Sequence, residues 1–336
     1  MPGCSAPRGP HSHSIERHRG LRHSRAMRRS EKLAAAAVLA LACPGAAPPE
    51  ADAGFWVPRP VSGAAEPSTI VKEAAASDWR PVAPENLLLM DLADGARVAI
   101  ELAPGFAPVH VANIRALARG GWWNGAKVYR VQDKYVAQWG VNEAPTPLPA
   151  GVVKAPPAEY TRPVAALTPR TLAFPDSYAA RTGHVDGWPI AWTPRSGEAW
   201  LTHCYAMVGV GRDLAPDTGT GGELYAVIGH APRHLDRNIA LVGRVIDSID
   251  ALAARPRGRE ALGFIKDEAN QAGIARVRLA ADVPAAERPR YEVMRTDSDS
   301  FARYVAGRAN RGGTFFNLPA GGVDLCNVQV PVRKAG

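Results

Sequence analysis

The 336-residue chain has little cysteine, four residues in all, and beyond position 50 only Cys204 and Cys326 remain. An even pair leaves two options open, one disulfide or two buried free thiols. Long apolar runs are absent too. The run Leu33–Ala42 holds ten apolar residues, half of the roughly 20 that a membrane-spanning helix needs. No HExxH-like spacing relates His110, His184, His203, His230 and His234, and the His230/His234 pair falls in a loop-like stretch, so a histidine-built metal hydrolase is excluded. No Gly-x-Ser-x-Gly elbow supports a serine hydrolase. No basic stripe interleaved with aromatics supports nucleic-acid binding. The net charge of +8 does not contradict this, because residues 1–32 carry eight basic side chains against Glu16 and Glu31, a net +6. Everything after them carries +2.

What is present begins with that basic stretch. A positive segment, a short apolar run and a small-residue exit describe an export signal over residues 1–42, with Met27 as the natural start and general secretion as the route. Cys43 stands where a lipoprotein carries its lipidated cysteine, although Ala40-Leu41-Ala42 departs from the usual small-residue pattern. The plain alternative is cleavage near this point. A periplasmic or cell-envelope location follows, with membrane contact only through such an anchor.

Residues 43–85 read as a linker and an N-terminal segment that becomes ordered around Asp78-Trp79-Arg80-Pro81. From Asn86 onward the pattern is mostly strand. Leu87–Leu92 and Arg97–Leu102 flank Asp94-Gly95, a hairpin signal. Pro108 opens a helix whose Val111, Ile114, Leu117 and Ala118 share one face, and Gly120-Gly121 ends it. Further strands are expected near Lys127–Gln132, Tyr135–Trp139, Tyr205–Val210, Glu223–Ile228, Ile239–Val242 and Ala275–Leu279, with a helix over Asp247–Ala254. Residues 141–200, rich in Pro, Ala and Thr with isolated aromatics, read as a long ordered insertion into a domain spanning 86–282. An extension, 283–336, holds a short helix near Ser300–Arg308 and an alternating stretch at Val328–Val332. Many short strands with one early and one late helix fit a mainly β, closed antiparallel barrel capped by two helices better than an α/β sheet.

Phe106-Ala107-Pro108 with Val111, Asn113 and Leu117, then Trp122/Trp123-Asn124-Gly125, then Arg130 followed after five residues by Tyr135 and after eight by Gln138, form one ordered set of motifs. Gly221-Gly222-Glu223-Leu224-Tyr225, Leu235-Asp236 and Gly243-Arg244-Val245 form a second. In order and spacing the two sets resemble the cyclophilins, a family of peptidyl-prolyl cis-trans isomerases. That resemblance covers most of 86–280 and implies an eight-stranded barrel and no cofactor or metal. It also implies Arg130 and Gln138 as catalytic residues, with Tyr135, Val136, Tyr225 and Leu235 walling a proline pocket. Glu223 and Gly209 join them as substrate-binding positions that depart from the family pattern, where a Gln and a backbone-binding Asn are usual. His234 replaces a Trp or similar bulky residue and Ile239 a His or Tyr, and a five-residue excess lies between Gly209 and Gly221. The expected partners are proline-containing polypeptides, bound by a monomer. A catalytically weak binding or chaperone module on the same barrel is the alternative, favoured by Gly209 and Ile239 and opposed by Arg130.

The chemistry asks little else of the protein. An X–Pro bond turns slowly because its C–N bond is partly double, with a barrier of about 18–20 kcal/mol. No covalent bond breaks, so a catalyst needs neither nucleophile nor metal, only a site that favours the twisted amide over either planar form.

Overall fold

The computed structural model describes residues 59–141 and 147–335, all within the unit Phe55–Gly336. The expected export signal, Met27 and Cys43 lie outside the described residues. Eight strands close into an antiparallel barrel: β1 (Leu87–Leu92), β2 (Arg97–Leu102), β3 (Lys127–Val131), β4 (Val136–Gly140), β5 (Met207–Val210), β6 (Glu223–Val227), β7 (Leu241–Asp247) and β8 (Ala272–Leu279). Their order around the barrel is β5-β6-β4-β3-β8-β1-β2-β7, and β7 pairs back onto β5. Among the described residues the four helices are α1 (Pro67–Glu73), α2 (Pro108–Arg119), α3 (Asp250–Ala253) and α4 (Asp299–Ala309).

Why the opening hairpin is so apolar becomes clear from its two faces. Leu88, Met90, Leu92, Val98, Ile100 and Leu102 point into the barrel core, whereas Leu87, Leu89 and Ala99 pack outward into a second core with Trp79, Val293, Phe301 and Val328. A strand buried on both sides reads as a continuous apolar run rather than an alternation. The cover is a small sheet of Trp79–Pro81, Tyr291–Met294 and Val332–Lys334, together with α4. The segment 70–82 and the C-terminal extension are thus the outer wall of β1 and β2.

Helix α2 carries the predicted apolar face, with Val111, Ile114 and Leu117 fully buried against the barrel end. Its first turn has backbone N–H groups with no partner inside the helix. The Glu159 carboxylate, from the insertion, accepts from the backbone N–H of Val109 and of His110 at 2.9 and 3.0 Å. The insertion itself is more regular than its composition suggests. Arg162–Pro163, Arg170–Thr171, Arg181–Val185, Trp188–Thr193 and Glu198–Leu201 make a five-stranded antiparallel sheet. Its Ile190, Trp192 and Leu201 pack with Met207 and Leu241 of the barrel.

Two elements differ from expectation. β7 runs on to Asp247 because its ladder with β2 continues to the Asp247–Ala99 pair, which leaves α3 a single turn. The alternating stretch Val328–Val332 is mostly not strand, since only Val332–Lys334 pairs with Tyr291–Val293. Cys204 and Cys326 form a disulfide of 2.08 Å that ties the segment before β5 to the C-terminal extension.

Candidate active site

The ladder itself sets the central row. Arg130 on β3 stands opposite Gln138 on β4, and Gln138 stands opposite Tyr225 on β6, so the three side chains cross neighbouring strands on the barrel's outer face. The strand around Arg130 is irregular. Val128 and Val131 both point into the core, and the register shifts between Val128 and Arg130. Two consecutive residues, Tyr129 and Arg130, can therefore face outward, the use to which bulges beside functional sites are put.

The Arg130 guanidinium is tied on three sides. Its Nε donates to the Leu262 carbonyl at 2.8 Å, one terminal nitrogen to Gln138 Oε1 at 2.9 Å and the other to Gln132 Oε1 at 2.7 Å. Its central carbon lies 5.5 Å from the Phe264 ring centre and 6.0 Å from that of Tyr135. Burial lowers its pKa, opposed by the tyrosines around it, and a guanidinium keeps its charge regardless. Three of its five N–H groups are engaged, which leaves two for a ligand.

Beside this cation lies an apolar cluster of Val136, Tyr225 and Val227, with Tyr135 and Ile239 against it. Leu235 is half-buried on the turn Arg233–Leu235 and does not belong to that cluster; Ile239 contributes where Leu235 was expected. Tyr135 stacks parallel to His234 at 6.0 Å between ring centres, and its hydroxyl lies 3.3 Å from His234 Nε2. Two clefts lie elsewhere. One of about 800 Å³ separates β7 from α4 and the C-terminal extension, and another of about 830 Å³ lies along residues 256–270.

Behind Tyr225 runs a buried polar chain. The Tyr225 hydroxyl is 2.9 Å from His203 Nε2, and His203 Nδ1 is 2.9 Å from Asp236. Arg233 Nε donates to Asp236 at 2.6 Å while its terminal nitrogens reach Asp176 of the insertion at 2.9 and 3.2 Å. Burial lowers the His203 pKa against the pull of Asp236, so the ring is neutral, and burial raises that of Tyr225. Burial also pulls Asp236 upward, but the hydrogen bonds and charges of His203 and Arg233 together hold it below the ordinary carboxylate range. A neutral His203 that donates from Nδ1 to Asp236 accepts at Nε2, which makes Tyr225 the donor.

Of the residues singled out in the sequence, Arg130, Gln138, Tyr135, Val136, Glu223 and Tyr225 share this face. Gly209 lies opposite Tyr225 in the β5–β6 ladder and is covered by its ring. Tyr129, Gln132, His203, Leu262 and Phe264 were not anticipated. Tyr129 is hidden by the bulge, and the others carry no local pattern that points to this face. No cluster of metal-ligating side chains occurs among the described residues.

Residues 87–262 match the family model of the cyclophilin type peptidyl-prolyl cis-trans isomerases. A curated relative from Brucella suis, named "Probable peptidyl-prolyl cis-trans isomerase", is 44% identical over 70 residues, 21% of this chain and 33% of the relative. Its counterpart in Brucella abortus is 43% identical over 70 residues, with the same shares. The match thus spans a third of the length of these relatives. Among solved structures, cyclophilin AquaCyp293 from Hirschia baltica superposes with a TM-score of 0.60 at 24% identity, covering 76% of this chain and 93% of that one, a likeness of fold.

Proposed function

Because the chain belongs to the cyclophilin-type peptidyl-prolyl cis-trans isomerase family, we propose that it accelerates rotation about X–Pro bonds in polypeptides that lie across the Arg130 patch. The observation that carries this reading is the fixed guanidinium of Arg130, held by Leu262, Gln138 and Gln132 beside the Val136–Tyr225 cluster.

The mechanism follows from charge and grip. In the planar amide the proline nitrogen's lone pair is delocalised, and at the twisted geometry it is localised again. A donor already fixed near that nitrogen therefore binds the twisted state better than either planar one, which is what lowers a barrier. The three hydrogen bonds on Arg130 remove the freedom that would otherwise be lost on binding, and its two remaining N–H groups are the donors. The apolar cluster of Val136, Tyr225, Tyr135 and Ile239 holds the pyrrolidine ring while the carbonyl side turns. Reducing tens of seconds to milliseconds is about 10⁴-fold, or roughly 5.5 kcal/mol. One preorganised charged donor at about 3 kcal/mol, with orientation, is of that size.

The clients are exported, proline-containing polypeptides, met by a monomer in the periplasm or cell envelope. What supports this is the export-type leader in the sequence and the Cys204–Cys326 disulfide, a bond at home in oxidising compartments. Lipidation at Cys43 is an anchor to be sought by mass measurement of the mature N-terminus.

The test is a proline-isomerisation assay on X–Pro peptides. The mature protein should accelerate it strongly, and Arg130→Ala should lose nearly all of that acceleration while its unfolding curve stays close to wild type. The covering of Gly209 by Tyr225 favours one second reading, a binding module that grips proline segments without turning them. Equal slowness of wild type and Arg130→Ala, with both still binding unfolded protein, would establish it.

A further inference from the structure

Glu223 opens β6 two residues before Tyr225, so both side chains stand on the same outer face, about 6.6 Å apart along the strand. Its carboxylate is half-buried and lies 3.2 Å from Gln138 Nε2. Gln138 thereby stands between opposite charges, its Oε1 accepting from Arg130 and its Nε2 donating to Glu223 and, at 2.6 Å, to the Tyr129 hydroxyl. Both amide hydrogens are engaged, so Gln138 has none left for a ligand. On this edge of the patch Glu223 presents a half-buried carboxylate.

That carboxylate lacks a cation. The well-buried Glu101, Asp176 and Asp236 each meet a guanidinium. Among the described residues, by contrast, no Lys, Arg or His nitrogen comes within ion-pair distance of Glu223. It is left uncovered as well. A methyl group built on Gly211 would sit 3.2 Å from the Glu223 carboxylate oxygen, 3.0 Å from its Cβ and 3.1 Å from Gln138 Nε2. Any side chain at position 211 would therefore lie on the carboxylate, and glycine keeps it open. The Glu223 carboxylate is hydrogen-bonded by Gln138 and the Tyr129 hydroxyl but has no opposite charge beside it, and a ligand that brings one adds an attraction that these neutral donors do not supply.

We propose that Glu223 makes the site selective for proline segments that carry a lysine or arginine one or two residues from the proline. The spacing sets the register. With the proline ring against Tyr225, a carboxylate about 6.6 Å away along the strand faces a neighbour one or two positions off in an extended ligand, which advances about 3.3 Å per residue. The patch then has two poles, Arg130 for the prolyl amide and Glu223 for a basic side chain beside it, with Gln138 between them. This inference rests on the same face being the substrate site.

The experiment uses the mature protein and peptides that differ at one position, Lys, norleucine or Glu, placed in turn one and two residues before and after a single proline. Binding is followed by calorimetry and turnover by the isomerisation assay. At low salt the Lys peptide should exceed the Glu peptide by about fivefold in affinity and in kcat/KM at one of these positions. The ratio should shrink as salt is raised and fall close to one in Glu223→Gln. A ratio near one at every position, or one that Glu223→Gln leaves intact, overturns the proposal. Equal weakening of all peptides by Glu223→Gln also overturns it, since that marks a contact to backbone rather than to a basic side chain. Absence of turnover for every peptide would count against the isomerase reading alone, because the calorimetric ratio still reads the preference.

Discussion

Gly209 and Tyr225 face each other across the β5–β6 ladder, and a methyl group built on Gly209 would collide with the Tyr225 hydroxyl and the ring carbons next to it. The bare glycine and the bulky phenol are therefore one arrangement: the ring folds over the place where a side chain at 209 would begin. The asparagine usual there in the family has no room here. Gly209→Ala should cost about 1–3 kcal/mol in denaturant unfolding, the range for overpacking a tight site. Combined with Tyr225→Val, which removes the colliding atoms, the penalty should be clearly less than the sum of the two single changes. Full additivity would mean that ring and glycine are independent.

His203 accepts from the Tyr225 hydroxyl, and His203→Ala leaves that phenol buried without an acceptor. An unpaired buried polar group costs about 1–3 kcal/mol. The ring that walls the apolar cluster would also lose its anchor, so KM for an X–Pro peptide should rise more than kcat falls. His203→Gln, which keeps an acceptor, should recover part of both losses. Unchanged kinetics in His203→Ala would show that the ring is held by packing alone.

Acid should destabilise the fold from near neutrality downward. His184 is fully buried edge-on against Phe301, near the Val328 backbone but without a well-aligned hydrogen bond. Burial lowers its pKa to about 3, the Val328 backbone pulling it up a little and the Arg244 charge pushing it further down. In the unfolded chain a histidine titrates near 6.5. Between pH 6.5 and about 3 the unfolded state therefore binds a proton that the folded state refuses. The stabilisation is complete above 6.5 and drains away as pH falls to about 3. His203, also lowered by burial, acts in the same direction. Stability measured by denaturant titration at stepped pH should fall across this window, and His184→Leu should flatten the slope.

What could be read in advance followed from locality. The β1–β2 hairpin carries its turn in Asp94-Gly95, and α2 carries its stop in Gly120-Gly121, so neighbouring residues alone define them. Arg130, Gln138 and Tyr225 were legible because two of them sit at a fixed offset on one strand pair and the third in a short motif. The rest depended on partners far along the chain. The outward leucines of β1 meet Val293 and Phe301, some two hundred positions away. The strand Trp188–Thr193 is the middle one of its sheet yet contains Pro189, which argues against a strand until the proline is seen to lie near the strand's start, one residue before the ladder with Glu198–Leu201 begins at Ile190. Tyr129 would point inward by simple alternation, and only the bulge turns it out. Leu262 and His203 reach the site from loops whose local sequence has no periodicity to read.

The insertion also reaches the site by a route that can be cut. Asp176 receives both terminal nitrogens of Arg233, whose Nε holds Asp236, which in turn orients His203 behind Tyr225. Arg233 and Asp176 are enclosed together, with 4% of each side chain exposed. Removing one member of a buried ion pair strands the other, at about 3–5 kcal/mol when no second partner exists. Arg233 keeps Asp236, so Asp176→Ala should cost less, about 1–3 kcal/mol, and the larger effect should appear at the turn 233–235. A loosened turn leaves Asp236 free to follow Arg233, and His203 loses the partner that fixes its tautomer. KM should then rise as in His203→Ala, and the double variant Asp176→Ala/His203→Ala should be little worse than His203→Ala alone. If the two changes add in full, the insertion steadies the turn by some path other than His203.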